Sequence, residues 1–226
     1  MKAVPAIAKR VVTDLNAHDA LVVDPEPFRV RGLGTLVKDG CSDWHRFLSA
    51  AARTRRNLGA VLLVLDGDID RVSPQWRRYT THFGAADFCA YRVAAMLGEE
   101  ARAVRAGEQF SLASVFAMKE FEAWLLAGLG SLRGKPLAEG RGHVPADATC
   151  PPIEIERTRS PKDHLKRIVK IYQQSLDQGV LAKEVDLQMV KSSCRSFVRF
   201  YSAIQKLAEA VRSEQHIITP KLSMQP

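Results

Sequence analysis

GAVLLVLDGDID, residues 59–70, is the stretch that decides the fold class. Its first half is a continuous apolar run that begins after Gly59 and ends at Asp66. Runs of this kind are typical of strands that are buried on both faces of a parallel sheet. A second run, at about Phe110–Ala117, leads directly into a segment with helical spacing. We therefore predict two buried strands, of which the second passes straight into a helix.

Helices are predicted around these two strands. Apolar side chains recur at helical spacing in residues 3–15 and in the segment that follows a predicted cap at Ser42 or Asp43. Residues 85–106 are rich in alanine, and we expect their helix to end at Gly107.

One more short strand is predicted within residues 20–30. Pro25 and Pro27 exclude a long central strand there, because proline has no N–H to donate to a sheet. The order helix, strand, helix, strand, helix, strand, helix predicts an α/β domain with a mostly parallel sheet.

The second half of the chain predicts loops and then helices. Residues 130–160 are rich in glycine and proline, and Ser160 followed by Pro161 is a typical helix start. Two helices are expected after this point. The predicted organisation is an α/β domain, a loop-rich connection, a C-terminal helical region packed on the domain and a flexible tail, at residues 1–128, 129–160, 161–214 and 215–226.

Length, composition and cysteine spacing limit the class of protein. The chain has 226 residues, which is long enough for one sizeable hydrophobic core. Its formal net charge is +8. No apolar run is long enough to span a bilayer and no signal peptide is evident, so we expect a cytoplasmic protein. The cysteines form no C-x-x-C pair, which indicates reduced thiols and not a zinc site: Cys41, Cys89, Cys150 and Cys194.

The excess of arginine and lysine occurs in small groups. The groups are Arg53 with Arg55 and Arg56, Arg77 with Arg78, and the segment from Arg157 to Arg167. Such groups suit a polyanionic partner, whose counterions they release. They are equally typical of an ordinary solvated surface, and both interpretations stay open.

Acidic residues follow the first strand. At the carboxyl end of a strand in a parallel sheet, ligands usually bind. Asp66 and Asp68 are two positions apart, so in extended geometry both side chains project to the same side. A Mg²⁺ ion relieves the repulsion between two such carboxylates. Asp70 either joins them or faces solvent.

A second acidic group, Glu120 and Glu122, follows the second strand. If both strand ends lie on one edge of the sheet, the two groups face one another, and a site with one or two metal ions for phosphoryl transfer becomes feasible. The structural alternatives are an Asx turn at the aspartates and first-turn acids that complement a helix dipole at the glutamates.

The chain also resembles a known family over nearly its whole length. The segments VLLVLDGDID, SVFAMKEFEAWLLAG, PPIEIERTRSPKDHLKRIV, YQQSLDQGVLAKEVDL and CRSFVRFYSAI, in this order, are similar to the TOPRIM-like domain-of-unknown-function family 4276. The resemblance implies a TOPRIM fold, which is a small Rossmann-like α/β sheet. It also implies Mg²⁺ binding by a D-x-D, which Asp66 and Asp68 match. Proteins of this kind commonly accompany ABC- or AAA-type ATPases in suspected phage-defence cassettes.

The chain departs from the family pattern at its start. The family normally has a first strand with a following glutamate before the helix that resembles residues 2–11, and here only Met1 precedes that helix. We expect that this strand and its carboxylate are missing from the sequence as written. Either the start codon is assigned too late and the protein carries this strand, which is the explanation we favour, or the chain is short and its metal site lacks a ligand. In the second case Glu120 is the best substitute for the lost carboxylate.

The residues and the resemblance together predict a Mg²⁺- or Mn²⁺-dependent phosphodiesterase, a nuclease component that acts with a partner ATPase. Asp66, Asp68 and Glu120 would be catalytic, and these three with Glu122 would hold the metal. Lys162 and Arg157 would contact phosphate, as a point charge and as a bidentate fork. The alternatives are a non-catalytic docking or sensing partner of an ATPase, and a nucleic-acid-binding protein that does not cleave.

Overall fold

A computed structural model describes residues 3–30, 32–54, 59–67, 89–150 and 154–221. The first half of the chain contains the helices α1 (Ala3–Asp14), α2 (Leu33–Leu36), α3 (Ser42–Thr54) and α4 (Ala90–Glu100), with strand β1 (Ala60–Gly67). Strand β2 (Ser111–Met118) is followed by the short helices α5 (Glu122–Ala127) and α6 (Leu129–Leu132). The second half contains α7 (Pro161–Ile168), α8 (Gln174–Glu184), α9 (Leu187–Ser193), α10 (Arg195–Arg212) and strand β3 (Ile218–Thr219).

The predicted α/β class is confirmed. The strands form an open three-stranded sheet in the order β1-β2-β3, with helices flanking it. Strand β3 runs parallel to β2, with Leu112 opposite Ile218 and Ala113 opposite Thr219. Every residue of β2 except the last is buried, as expected for a central strand that is covered on both faces. This arrangement is consistent with a Rossmann-like sheet.

Contacts within the described chain divide the fold into two compact units, and each is discontinuous in sequence. Unit 1 comprises Met1–Pro27, Asp66–Asp68 and Ala117–Tyr201. Unit 2 comprises Phe28–Leu65, Ile69–Phe116 and Ser202–Pro226. The boundaries predicted along the sequence, at residues 128, 160 and 214, stay a prediction.

Unit 2 contains most of the sheet and an apolar core around it. Leu63 and Leu65 of β1, Leu112 of β2 and Ile218 of β3 belong to this core. Trp44 of α3 is 2% exposed, and its indole N–H donates to the carbonyl oxygen of Leu97 at 2.9 Å. The predicted apolar face of α3 therefore belongs to the same core as the strands.

Unit 1 is mostly helical. Helix α1 packs along α8, and α5 contacts α7, α8 and α9. The guanidinium of Arg10 donates to the carbonyl oxygens of Ala182 and Val185 at the end of α8. These backbone carbonyls have no partner within the helix, so the arginine satisfies them and fixes α1 on α8.

Two predictions in the first half of the chain are wrong. Residues 21–30 form no strand, and Val22, in the apolar part of that segment, is 95% exposed. Pro25 and Pro27 remove two ladder donors from a segment that is already short. The alanine-rich helix also ends before Gly107: a 3-10 turn closes at Val104, and Arg105 takes the left-handed conformation. Its predicted start, residues 85–88, lies outside the described residues.

Three predictions in the second half are corrected as well. Four helices, not two, follow residue 160 in the described chain, because α8 and α9 were not predicted. Ser160 does not cap α7; it takes a left-handed conformation and makes no side-chain cap hydrogen bond. The predicted flexible tail contains β3, whose Ile218 is 3% exposed.

No helix in the described part of the chain is long and apolar enough to cross a membrane. The four cysteines, all within the described ranges, are free thiols.

Candidate functional site

The carboxylates that follow β1 and β2 lie together in unit 1. Asp66 is the second-to-last residue of β1, and Glu120 and Glu122 follow the end of β2. The Asp66 carboxylate accepts a hydrogen bond from the backbone N–H of Phe121 at 2.9 Å. This bond joins the ends of the two strands and places Asp66 beside both glutamates. We call Asp66, Glu120 and Glu122 the carboxylate cluster.

Glu120 fixes the start of helix α7. One of its carboxylate oxygens accepts the backbone N–H of Lys162 at 2.8 Å, and the other lies 3.4 Å from the Lys162 ammonium. The first N–H groups of a helix have no partner within the helix, and a carboxylate satisfies them best. Glu120 therefore performs the capping role that the sequence assigned to Ser160.

Lys162 is cationic at neutral pH. Burial alone would lower the pKa of its ammonium group, but the negative charges of Glu120, Glu122 and Asp163 raise the pKa above its ordinary value. The side chain is 33% exposed. It is therefore a fixed positive charge at the edge of the carboxylate cluster that is still open to solvent.

Glu122 is the least usual member of the cluster, because its residue is fully buried. One carboxylate oxygen accepts hydrogen bonds from the Tyr172 hydroxyl at 3.0 Å and from the Gln178 amide at 3.2 Å. The other oxygen, Oε2, has no hydrogen-bond partner in the described part of the chain. A buried carboxylate oxygen without a donor is costly, so this atom requires an explanation.

The pKa of Glu122 is raised above its ordinary value. Burial is the main cause, and the negative charges of Asp66 and Glu120 add to it, whereas hydrogen bonds from the backbone of Glu122 itself and from Tyr172 oppose it. The pKa of Tyr172 is raised too, by burial and by the neighbouring charge of Glu122, so its hydroxyl keeps its proton and acts as a donor.

An aromatic cluster holds α5, which carries Glu122, in place. The Trp124 ring lies 5.0–5.2 Å, centroid to centroid, from the rings of Phe121, Phe197 and Phe200. Its indole N–H donates to the Ser196 hydroxyl at 2.9 Å. These residues are buried, so the backbone position of Glu122 is set by packing and not by its own polar contacts.

Asp177 fixes the backbone next to Tyr172 and Gln178, the two residues that donate to Glu122. Its buried carboxylate accepts the backbone N–H of Gln173 at 2.7 Å and of Ala138 at 3.0 Å, and it pairs with Arg141 at 3.2 Å. Tyr172 and Gln178 flank the segment that these bonds fix. The bond to Gln173 resembles one half of a capping box, in which an acidic side chain reaches back to the N-cap backbone.

Sequence reasoning did not assign roles to Tyr172, Asp177 and Gln178. The only local signal was an acidic residue four positions after Gln173, which is a weak helix-start pattern. Their value to the site depends on Glu122, which lies more than forty residues earlier in the chain. Contacts over such separations leave no periodic pattern in a single sequence.

Of the remaining candidates named from the sequence, Arg157 is the one that the structure describes. Asp68 and Asp70 lie outside the described residues. Arg157 pairs with Glu154 at 2.8 Å, and its side chain is 82% exposed. Its predicted role as a phosphate contact stays a prediction.

The chemistry of the cluster suits a hard divalent cation. Carboxylate oxygens are the ligands that Mg²⁺ prefers, and one or two of them are usually enough when water and substrate phosphate complete the shell. The unpartnered oxygen of Glu122 is such a ligand, and a cation beside it would offset the repulsion from Asp66. Within the described ranges, no three His, Cys, Asp or Glu side chains form a ready-made metal site by themselves.

Comparison with known proteins identifies a family and no individual relative. No curated protein and no solved structure matches the chain. One family model matches residues 36–205, a range that includes the carboxylate cluster together with Lys162, Tyr172 and Gln178. The chain belongs to the family described as Domain of unknown function (DUF4276).

Proposed function

We propose that this protein is a Mg²⁺-dependent phosphodiesterase that cleaves nucleic acid as a component working with a partner ATPase. The observation that carries the proposal is the buried carboxylate of Glu122, whose Oε2 has no donor in the described chain and which lies beside Asp66 and Glu120. Groups with perturbed pKa values that gather at one sheet edge are typical of functional sites.

Asp66 and Glu122 are the best metal ligands among the described residues. Both oxygens of Glu120 are already engaged by Lys162, whereas Glu122 has one oxygen to spare. Asp68 stays in the proposal on the sequence argument alone, as the second member of the D-x-D. When bound, the metal would activate a water molecule and stabilise the leaving oxygen of the phosphodiester.

The protein's own groups would position the substrate. Lys162 presents a positive charge at the edge of the cluster, where it can hold a phosphate oxygen as a point charge. Tyr172 and Gln178 orient the Glu122 carboxylate by donating to the same oxygen, which leaves the other oxygen available to a ligand. Glu120 keeps Lys162 in place by accepting the backbone N–H of Lys162 and pairing with its ammonium group.

The partner and the setting rest on the family resemblance alone. An ABC- or AAA-type ATPase would load or regulate the nuclease, in a cassette that acts in phage defence. Co-purification of an ABC- or AAA-type ATPase with this protein is the direct check on that part of the proposal.

The test is cleavage of supercoiled plasmid and single-stranded DNA with Mg²⁺, with Mn²⁺ and with a chelator. Asp66→Asn and Glu122→Gln should each lower the metal-dependent rate by about 10²-fold or more, since even the outer-shell partners of metal sites are worth 10- to 100-fold. Glu139→Gln, an exposed glutamate of unit 1, is the matched control and should cleave at the wild-type rate. Equal rates in all four proteins would overturn the proposal.

A non-catalytic role as a docking or sensing partner is the second candidate. It is favoured by the structural use of the cluster, because each of its carboxylates already accepts a hydrogen bond from the protein. Isothermal titration with Mg²⁺ and Mn²⁺ separates the two candidates. Binding that Glu122→Gln abolishes supports the enzyme, and no binding by the wild-type protein supports the docking partner.

A further inference from the structure

Helix α7 carries positive charges that no other described residue neutralises. Lys166 and Arg167 lie in its last turn, and Lys170 follows its end. All three are exposed, and none of their side chains forms a hydrogen bond or an ion pair within the described chain. Asp163, one turn before Arg167, is not ion-paired with it either.

Several other cations of unit 1 have structural partners. Arg10 and Arg133 donate to backbone carbonyl oxygens, Arg141 pairs with buried Asp177, and Lys135 pairs with Glu184 at 3.0 Å. Like charges without partners on one short helix repel one another, which disfavours the fold slightly. A partner that brings its own negative charges removes this cost.

Helix α7 begins at the carboxylate cluster, so its positively charged residues lie at increasing distances from the cluster. The backbone N–H of Lys162 is bonded to Glu120, and Lys166 lies one turn further on the same face. At 1.5 Å per residue the two lysines are about 6 Å apart along the helix axis. Arg167 is the next residue, about 100° further round the helix, so the positive charge of the last turn extends to the side of Lys166.

We propose that Lys162, Lys166 and Arg167 form a phosphate track, and that the substrate is therefore a polynucleotide strand and not a mononucleotide. Lys162 holds the phosphate at the carboxylate cluster, and Lys166 with Arg167 holds the next phosphates of the same strand. This inference rests on the proposed function for the cleavage step, but the binding by the track does not require metal or cleavage.

The first experiment measures binding alone. A fluorescently labelled single-stranded oligonucleotide is titrated with the full chain in the presence of a chelator, over a series of salt concentrations. Each lost phosphate contact lowers the slope of log K against log salt by about 0.7 for a single strand. Lys166→Gln combined with Arg167→Gln should therefore lower the slope by about 1.4 and weaken binding by roughly five- to tenfold.

Lys183→Gln is the matched control for this experiment. Lys183 is an exposed lysine of α8 in the same unit, so its loss changes the net charge without touching the track. It should leave the slope within error of the wild type. An equal loss of slope in the control and in the double variant would overturn the track, and so would an unchanged slope in the double variant.

The second experiment separates the track from the cleavage step. The double variant should cleave bis(p-nitrophenyl) phosphate, a diester without neighbouring phosphates, at the wild-type rate while it cleaves oligonucleotides more slowly. If the wild type cleaves neither substrate but the change in salt slope persists, the track stands and the proposed function fails. If polyglutamate binds as tightly as the oligonucleotide and with the same sensitivity to the double variant, an acidic protein is the better partner and the track is overturned.

Discussion

The two units of this protein use their carboxylates in different ways. In unit 2, three carboxylates pair with arginines three residues away on the surface: Asp43 with Arg46, Glu99 with Arg102, and Glu108 with Arg105. Unit 1 has one such pair, Glu154 with Arg157, but its other carboxylates include several that accept backbone N–H groups from distant parts of the chain. Asp66 reaches Phe121, Glu120 reaches Lys162, and Glu156 reaches Arg195 and Ser196.

The buried polar residues show the same contrast. Among the described residues, unit 2 buries only the hydroxyl side chains of Ser111 and Ser114, whereas unit 1 buries Glu122, Asp177, Gln178 and Ser196. Burial of a charge is costly unless it is paired and hydrogen-bonded. Unit 2 is therefore held by apolar packing around the sheet, and unit 1 depends in addition on a network of acceptors. Among the described residues, buried carboxyl groups therefore occur in unit 1 and not in unit 2.

Asp177→Ala should be the most damaging change that tests this contrast. It removes a buried carboxylate that holds two backbone N–H groups and Arg141, so we expect a loss of about 3–5 kcal/mol in the free energy of unfolding. Ser114→Ala in unit 2 should change it by less than about 1 kcal/mol, since that hydroxyl has no partner in the described chain. Urea unfolding measures both, and similar values for the two variants would contradict the contrast.

The second prediction concerns the pH dependence of the unfolding free energy. It uses Glu122→Gln, which keeps the shape of the side chain and removes its ionisable group. Because the folded state raises the pKa of Glu122, the folded protein holds its proton more tightly than the unfolded chain does. The unfolding free energy should therefore fall as pH rises from the ordinary glutamate value of 4.5 through the raised value. Glu122→Gln removes this contribution.

The measurement is the difference in unfolding free energy between Glu122→Gln and the wild type, in a chelator, at a series of pH values. The difference should be constant below the ordinary glutamate pKa and should shift in favour of the variant as pH rises. A difference that does not depend on pH would show that the Glu122 carboxyl has the same pKa in both states. Glu139→Gln, at an exposed position, is measured beside it as the control for the loss of one carboxyl group from unit 1.

The smallest expected effects on stability come from replacing one glutamate in each unit. The Glu156 carboxylate accepts two N–H groups at the start of α10, at 2.9 and 2.7 Å, so Glu156→Gln should cost about 1 kcal/mol. Glu99 pairs with Arg102 on an exposed helix surface, and Glu99→Gln should cost less than about 0.5 kcal/mol. Thermal unfolding of the two variants, read as a shift in Tm at one pH, orders them, and the reverse order would count against the contrast.

The sequence predicted the sheet better than the helices around the site. The apolar run before Asp66 became β1, and the strand expected at Phe110–Ala117 is β2, displaced by one residue. A strand that is buried on both faces has a continuous apolar pattern that few other structures share. Strand β3 has only two residues and was not predicted, because its pairing depends on β2 and not on its own composition.

The candidate site likewise contains residues that the sequence predicted and residues that it did not. Asp66, Glu120 and Glu122 were predicted because they follow strong strands, and the topology of a parallel sheet brings strand ends to one edge. The donors to Glu122 were not predicted, because nothing local distinguishes Tyr172 from a core residue or Gln178 from a surface one. Ser160 has the sequence of a helix cap, but Glu120 takes the cap from another part of the chain.

Because Glu120 and not Ser160 caps α7, one backbone amide of this helix depends on the carboxylate cluster. The amide proton of Lys162 is protected by a carboxylate that belongs to the cluster and not by its own helix. Any ligand that draws Glu120 away from α7 would release this proton to exchange with solvent, while the amides deeper in the helix kept their own bonds. The exchange rate of a single backbone proton would therefore record what happens at the ends of β1 and β2.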